Sequence, residues 1–159
     1  QAHFAELRST GGGGTFDLDF VNPRQYRTIT FDRRVVQEND PSITPSAGQW
    51  AYSSITASPG GYRPNGGRQI WTNVSGASLN FWINGTGFLL YTSVGPSVGD
   101  WNVYVDGALY TTVDLYNARW RPMAYGIDGL TPGFHYIELV AINASPGVNV
   151  YFDGVRAFP

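Results

Sequence analysis

The residues of this chain that could do chemistry fall into three groups: a serine with the spacing of a nucleophile, scattered carboxylates, and many aromatic rings. Gly95-Pro96-Ser97-Val98-Gly99 fits G-X-S-X-G, and Asp128 and His135 follow it in the order that a hydrolase triad of that type uses. That chemistry needs a sharp turn from a strand into a helix, with an oxyanion hole beside the serine. Here the motif lies between two strand-like patterns and no helix follows, so no nucleophilic role is expected for Ser97. A glycosidase needs two carboxylates about 5 to 9 Å apart in a cleft. Asp106, Asp114, Asp128, Glu138 and Asp153 are available, but Asp106-Gly107 is a turn signal and nothing in the spacing pairs the others. No catalytic residue is assigned, and a glycoside hydrolase or lyase is the third reading of function.

Rings are the richer resource. The chain has 5 Trp and 10 Tyr, and flat aromatic faces cover the C–H surfaces of sugars while Asn, Asp, Arg or Gln fix the hydroxyls. From Leu79 to Gly107 three alternating runs read as consecutive antiparallel strands. Leu79, Phe81 and Ile83 share one face of the first run; Asn80, Trp82 and Asn84 share the other. Trp82, Tyr91 and Tyr104 have the opposite parity to their apolar neighbours, which places them together on the outer face of three adjacent strands. That face either takes a ligand or is buried by residues 1–35. Trp71 and the Tyr62-Arg63 and Arg119-Trp120 loops are further ligand-binding candidates, because arginine beside an aromatic ring can stack or pair with an acidic sugar. Trp50 and Trp101 read as core.

The elements that must position these rings are strands. With 159 residues, 42% apolar and only 14% charged, the chain is the size of one domain with one core. The 20 glycines and the aromatic content indicate short strands and tight turns. No segment keeps helical apolar spacing over a dozen positions, so almost no helix and about ten strands are expected, in a sandwich or barrel. Residues 1–14 form a leader and glycine hinge (Gly11 to Gly14), and residues 15–159 form one β-sandwich domain. Phe16, Leu18 and Phe20 mark a first strand, and Ile29, Phe31 and Val35 a second. The leader is either a loose tail or an arm that adds a strand to a neighbouring subunit, the route to a homo-oligomer and to a second reading of function as a self-assembling structural subunit.

A net charge of −2 provides no field for phosphate backbones or anionic membranes, so neither nucleic acid nor a membrane is an expected partner. There is no cysteine, and no apolar run approaches the length of a membrane helix. A chain starting at Gln1 reads equally as a processed mature form or a truncated one. Asn73, Asn84 and Asn143 begin Asn-X-Ser/Thr triplets, which are glycosylation acceptors if the protein is secreted by a eukaryote.

Glu38-Asn39-Asp40-Pro41-Ser42-Ile43, Gln49-Trp50, Gly60-Gly61-Tyr62-Arg63, Leu79-X-Phe81-X-Ile83-X-Gly85-Thr86-Gly87, Val103-Tyr104-Val105-Asp106-Gly107, Gly129-Leu130, Gly133-X-His135 and Phe152-Asp153 follow one another in a familiar order. From Val36 to Phe158 the chain resembles an extracellular jelly-roll module, similar to galactose-binding-like domains and to carbohydrate-binding modules of families 6 and 35. The resemblance implies a two-sheet antiparallel sandwich with a secreted, lectin-like, non-catalytic role and a glycan or polysaccharide partner. It also implies a structural calcium held by Glu38 and Asp153 with Asp40 nearby, although the paired glutamates of those families are replaced here by Glu38-Asn39-Asp40. No other cofactor is required. It further makes His135 a structural histidine.

Overall fold

The computed structural model describes residues 28–30, 35–54 and 67–159. Thirteen strands occur among them: β1 (Thr28–Thr30), β2 (Val36–Gln37), β3 (Thr44–Pro45), β4 (Ala51–Ser54), β5 (Arg68–Thr72), β6 (Ser78–Gly85), β7 (Gly87–Val94), β8 (Asp100–Val105), β9 (Ala108–Val113), β10 (Arg121–Ile127), β11 (Gly133–Ile142), β12 (Val150–Phe152) and β13 (Gly154–Phe158). The excess over the expected ten comes from two- and three-residue pieces, too short to leave a period in the sequence. The described residues contain no α-helix and the architecture is all-β, as the alternation predicts.

One layer has the order β1-β6-β11-β8-β9, with β3 also paired to β6. The opposing layer is built from β10-β7-β13-β2 and β12-β5-β4. These two join because β12 and β13 are separated only by Asp153, whose N–H donates to the Tyr91 carbonyl at 3.0 Å. Alternation does the sorting. In β6 the residues Leu79, Phe81 and Ile83 are buried while Asn80, Trp82 and Asn84 are half-buried, and β11 repeats this with Ile137, Leu139 and Ala141 inside. The inward residues meet Phe88, Leu90, Val155, Ala157, Ile70 and Phe152 from the other layer. Phe81 and Phe88 touch edge to face across the gap, with centroids 5.5 Å apart.

Trp50 and Trp101 belong to this core, as expected. Their rings stack 5.9 Å apart at 13°, and both indole N–H groups are satisfied, by the Ser46 hydroxyl and the Ser78 carbonyl for Trp50 and by the Tyr151 carbonyl for Trp101.

One expectation fails. The three runs from Leu79 to Gly107 are strands β6, β7 and β8, but they are not neighbours: β6 and β8 flank β11 in one sheet, and β7 lies in the other. The chain changes layers at Gly85-Thr86-Gly87. Gly85 is required there, because a Cβ would sit 2.0 Å from the Phe158 carbonyl oxygen. Thr86 closes the corner by donating its N–H to that same oxygen and accepting from Leu130 N–H.

Of the segment before Val36, β1 is described, and it pairs in parallel with β6, Thr28 opposite Trp82. It widens that sheet at its edge. The 1–14 leader, the 16–20 strand and the rest of residues 1–27 lie outside the described residues.

Candidate functional site

The outer face of the β6-β11-β8 sheet carries the first candidate surface. Trp82 on β6 stands opposite Tyr136 on β11, and the rings are 5.3 Å apart at 60°. Two positions along β11 on the same face is Glu138, directly opposite Asn80 on one side and Tyr104 of β8 on the other. Trp82, Tyr136 and Tyr104 therefore run diagonally across three hydrogen-bonded strands, roughly 10 Å from first to last strand. Asn80, Asn84 and Asn102 flank them, and every one of these residues is half-buried. Each is held on a long strand by a paired ladder, so the row is fixed before any ligand arrives.

Tyr91 does not belong to this row. It lies on β7, opposite Ala124 and Gly154, in the other layer. Parity correctly gives its outward direction but cannot say which sheet a strand joins. Tyr136 takes the position that Tyr91 was expected to fill. The alternation of Tyr136 with the inward His135 and Ile137 was the signal for it.

A second aromatic row lies on the opposing layer. Trp71 of β5 pairs with Tyr151 of β12, and Tyr151 meets the edge of Trp120 at 5.8 Å and 88°. Trp120 rests on Gly95, where any side chain would come within 2.6 Å of the indole, yet it is 43% exposed. The Tyr151 hydroxyl accepts a hydrogen bond from Asn149, and Arg119 and Arg121 are exposed on either side of Trp120. Trp71, Arg119 and Trp120 are thus brought to one region. Tyr62 and Arg63 lie outside the described residues.

The expected calcium ligands divide. Glu38 is 3% exposed and Asp153 1%. The last β2–β13 pair sets Gln37 opposite Gly154, and Glu38 follows the one in sequence while Asp153 precedes the other. Glu38 Oε2 is buried without a hydrogen-bond partner, and burial pushes this carboxyl above its ordinary value against the opposing pull of its own backbone N–H and of Arg68. Two buried carboxylates next in sequence to this last strand pair are the oxygen donors that a hard cation seeks. Asp40 does not complete a trio: its Oδ1 accepts from the Ser42 N–H at 2.8 Å and the Ser42 hydroxyl at 2.7 Å, closing its own turn. Among the described residues no group of three acidic or histidine side chains surrounds one point.

His135 is buried and lies between two acceptors, the Asp106 carboxylate at 2.7 Å from Nδ1 and the Thr131 carbonyl at 2.7 Å from Nε2. Only an imidazolium donates to both. The Thr131 carbonyl first, and Asp106 second, raise the histidine above its ordinary value, while the hydrogen bond from His135 lowers Asp106. The group ties the β8–β9 turn to the loop before β11, away from Ser97, which is exposed in the β7–β8 turn. Of the asparagines that begin Asn-X-Ser/Thr triplets, Asn143 uses its amide to hold Asp100 at 2.7 Å, and Asn73 and Asn84 are half-buried.

No protein-family model matches the chain. The A type blood N-acetyl-alpha-D-galactosamine deacetylase of Flavonifractor plautii is 36% identical over 91 residues, which are 56% of this chain and 12% of that enzyme. The chain thus spans a small fraction of that relative's length. Among solved structures, the CBM36-1 domain of a multidomain xylanase from the hindgut metagenome of Trinervitermes trinervoides superposes with a TM-score of 0.52 at 19% identity, covering 77% of this chain and 93% of that one. A family 35 carbohydrate-binding module from Clostridium thermocellum gives a TM-score of 0.50 at 14% identity over 78% of this chain and 97% of that one. A family two carbohydrate esterase from Cellvibrio japonicus gives 0.55 at 14%, covering 77% of this chain and 32% of that one. At these identities the likeness is one of fold, which the chain shares with the CBM36-1 domain and the family 35 module.

Proposed function

We propose that this domain is a secreted, non-catalytic carbohydrate-binding module. The observation that carries the reading is the Trp82–Tyr136–Tyr104 row with its three asparagines, fixed on adjacent strands of one sheet. Aromatic rings there cover the apolar faces of successive sugars, and amide side chains meet the hydroxyls. The Trp71–Tyr151–Trp120 row with Arg119 is a second contact region, and Tyr91 a contact separate from both. The solved structures of the same fold include modules named for carbohydrate binding, and the curated relative is named for a reaction on a glycan. A glycan array probed with the wild-type domain, followed by titration of the best ligand, tests the reading; saturable binding is expected, and silence across the array overturns it.

A calcium ion held by Glu38 and Asp153 serves structure in this reading, its remaining ligands coming from carbonyls and water. It gives the buried Glu38 oxygen a partner and offsets the burial that otherwise penalises that carboxylate. Thermal melting in calcium should exceed that in chelator, and the difference should vanish in Glu38→Gln.

A further inference from the structure

We infer that the Trp82–Tyr136–Tyr104 face selects glycans bearing free amines over neutral or acidic ones. This rests on the glycan-binding reading and goes on to name the sugar's charge. The six strands of that sheet contain no arginine, and the chain contains no lysine at all. The arginines among the described residues, Arg68, Arg119, Arg121 and Arg156, belong to the strands of the opposing layer or to the loop before β10.

Three carboxylates lie on β6, β11 and β8 or directly at their ends, and they differ in what they already hold. Asp100 accepts from Leu115 N–H at 3.1 Å and from the Asn143 amide at 2.7 Å. Asp106 holds His135 and accepts the Tyr136 N–H at 2.8 Å. The Glu138 side chain has no hydrogen bond or ion pair among the described residues, and it stands at the centre of the face, beside Tyr104 and two residues along β11 from Tyr136. An ammonium group there meets a carboxylate and the electron-rich faces of nearby rings, both attractive to a cation. A uronic acid meets the same carboxylate as a like charge. A neutral or N-acetylated sugar offers it only uncharged hydroxyl or amide donors.

The test is calorimetric titration of the wild-type domain with hexamers of β-1,4-linked glucosamine, with their N-acetylated counterparts and with cellohexaose, at low and at high salt. The glucosamine hexamer should bind about five- to tenfold more tightly than the other two at low salt, and added salt should shrink the gap. Glu138→Gln, close in shape and on a half-buried position, should retain the wild-type melting temperature and lose the preference, the glucosamine hexamer falling to the affinity of the neutral ones. Equal affinity for all three, tighter binding of a neutral hexamer, or a preference unchanged by Glu138→Gln overturns the inference. The glycan-binding reading itself then stands or falls separately, on the array and on Trp82→Ala. Absence of binding to all three hexamers overturns the amine preference, and a neutral or acidic array ligand lost in Trp82→Ala would leave the broader reading intact.

Discussion

At the scale of the residue, His135 makes the firmest electrostatic statement. Its folded-state value is raised above the ordinary 6.5, so the stability it contributes is complete below that pH and is lost as pH rises through the folded value. Asp106 is lowered from 3.8, so its share is present above that pH and is lost as pH falls through its folded value. Urea unfolding across pH should therefore show a stability plateau in mildly acidic solution with a decline toward the alkaline side. His135→Gln should lower the plateau and flatten that decline. Glu38 behaves in the opposite sense to Asp106: being raised, it favours the fold only at low pH, and at neutral pH its burial is a cost that a bound cation removes. The bonds from Ser42 to Asp40 Oδ1 were not legible in the sequence, because a turn residue and a metal ligand look alike before the loop closes.

At the scale of the element, strand existence was legible and strand partnership was not. The period of two in β6, β8 and β11 is unbroken, and it assigned Leu79, Phe81, Ile83, Trp101 and Val103 to the core correctly. Which sheet each strand joins depends on a corner of three residues at Gly85-Thr86-Gly87, which in sequence looks like any hairpin turn. For this reason the candidate row kept Trp82 and Tyr104 and lost Tyr91. The corner should be intolerant of change. Gly85→Ala places a methyl group against the Phe158 carbonyl, and it should destabilise the domain by about 1 to 3 kcal/mol in chemical denaturation. Phe81→Ala, which empties the edge-to-face contact with Phe88, should cost about 3 to 5 kcal/mol.

At the scale of the whole molecule, two layers present two aromatic rows of different charge. One is free of arginine among its strands, and the other is flanked by Arg119 and Arg121. Composition alone had shown the aromatic surplus, while the division into rows follows from the topology. We propose the row on the β6-β11-β8 sheet as the glycan contact. The most direct measurement is calorimetric titration of the best array ligand against wild type, Trp82→Ala and Trp120→Ala, with melting curves for all three. Trp82→Ala should weaken binding at least tenfold, as loss of an aromatic anchor worth about 2 kcal/mol requires, with a cooperative melt retained. Trp120→Ala should change it by less than about threefold, the effect of a peripheral contact worth under roughly 0.7 kcal/mol. Unchanged affinity in a folded Trp82→Ala domain, or loss of binding only in Trp120→Ala, would contradict the account.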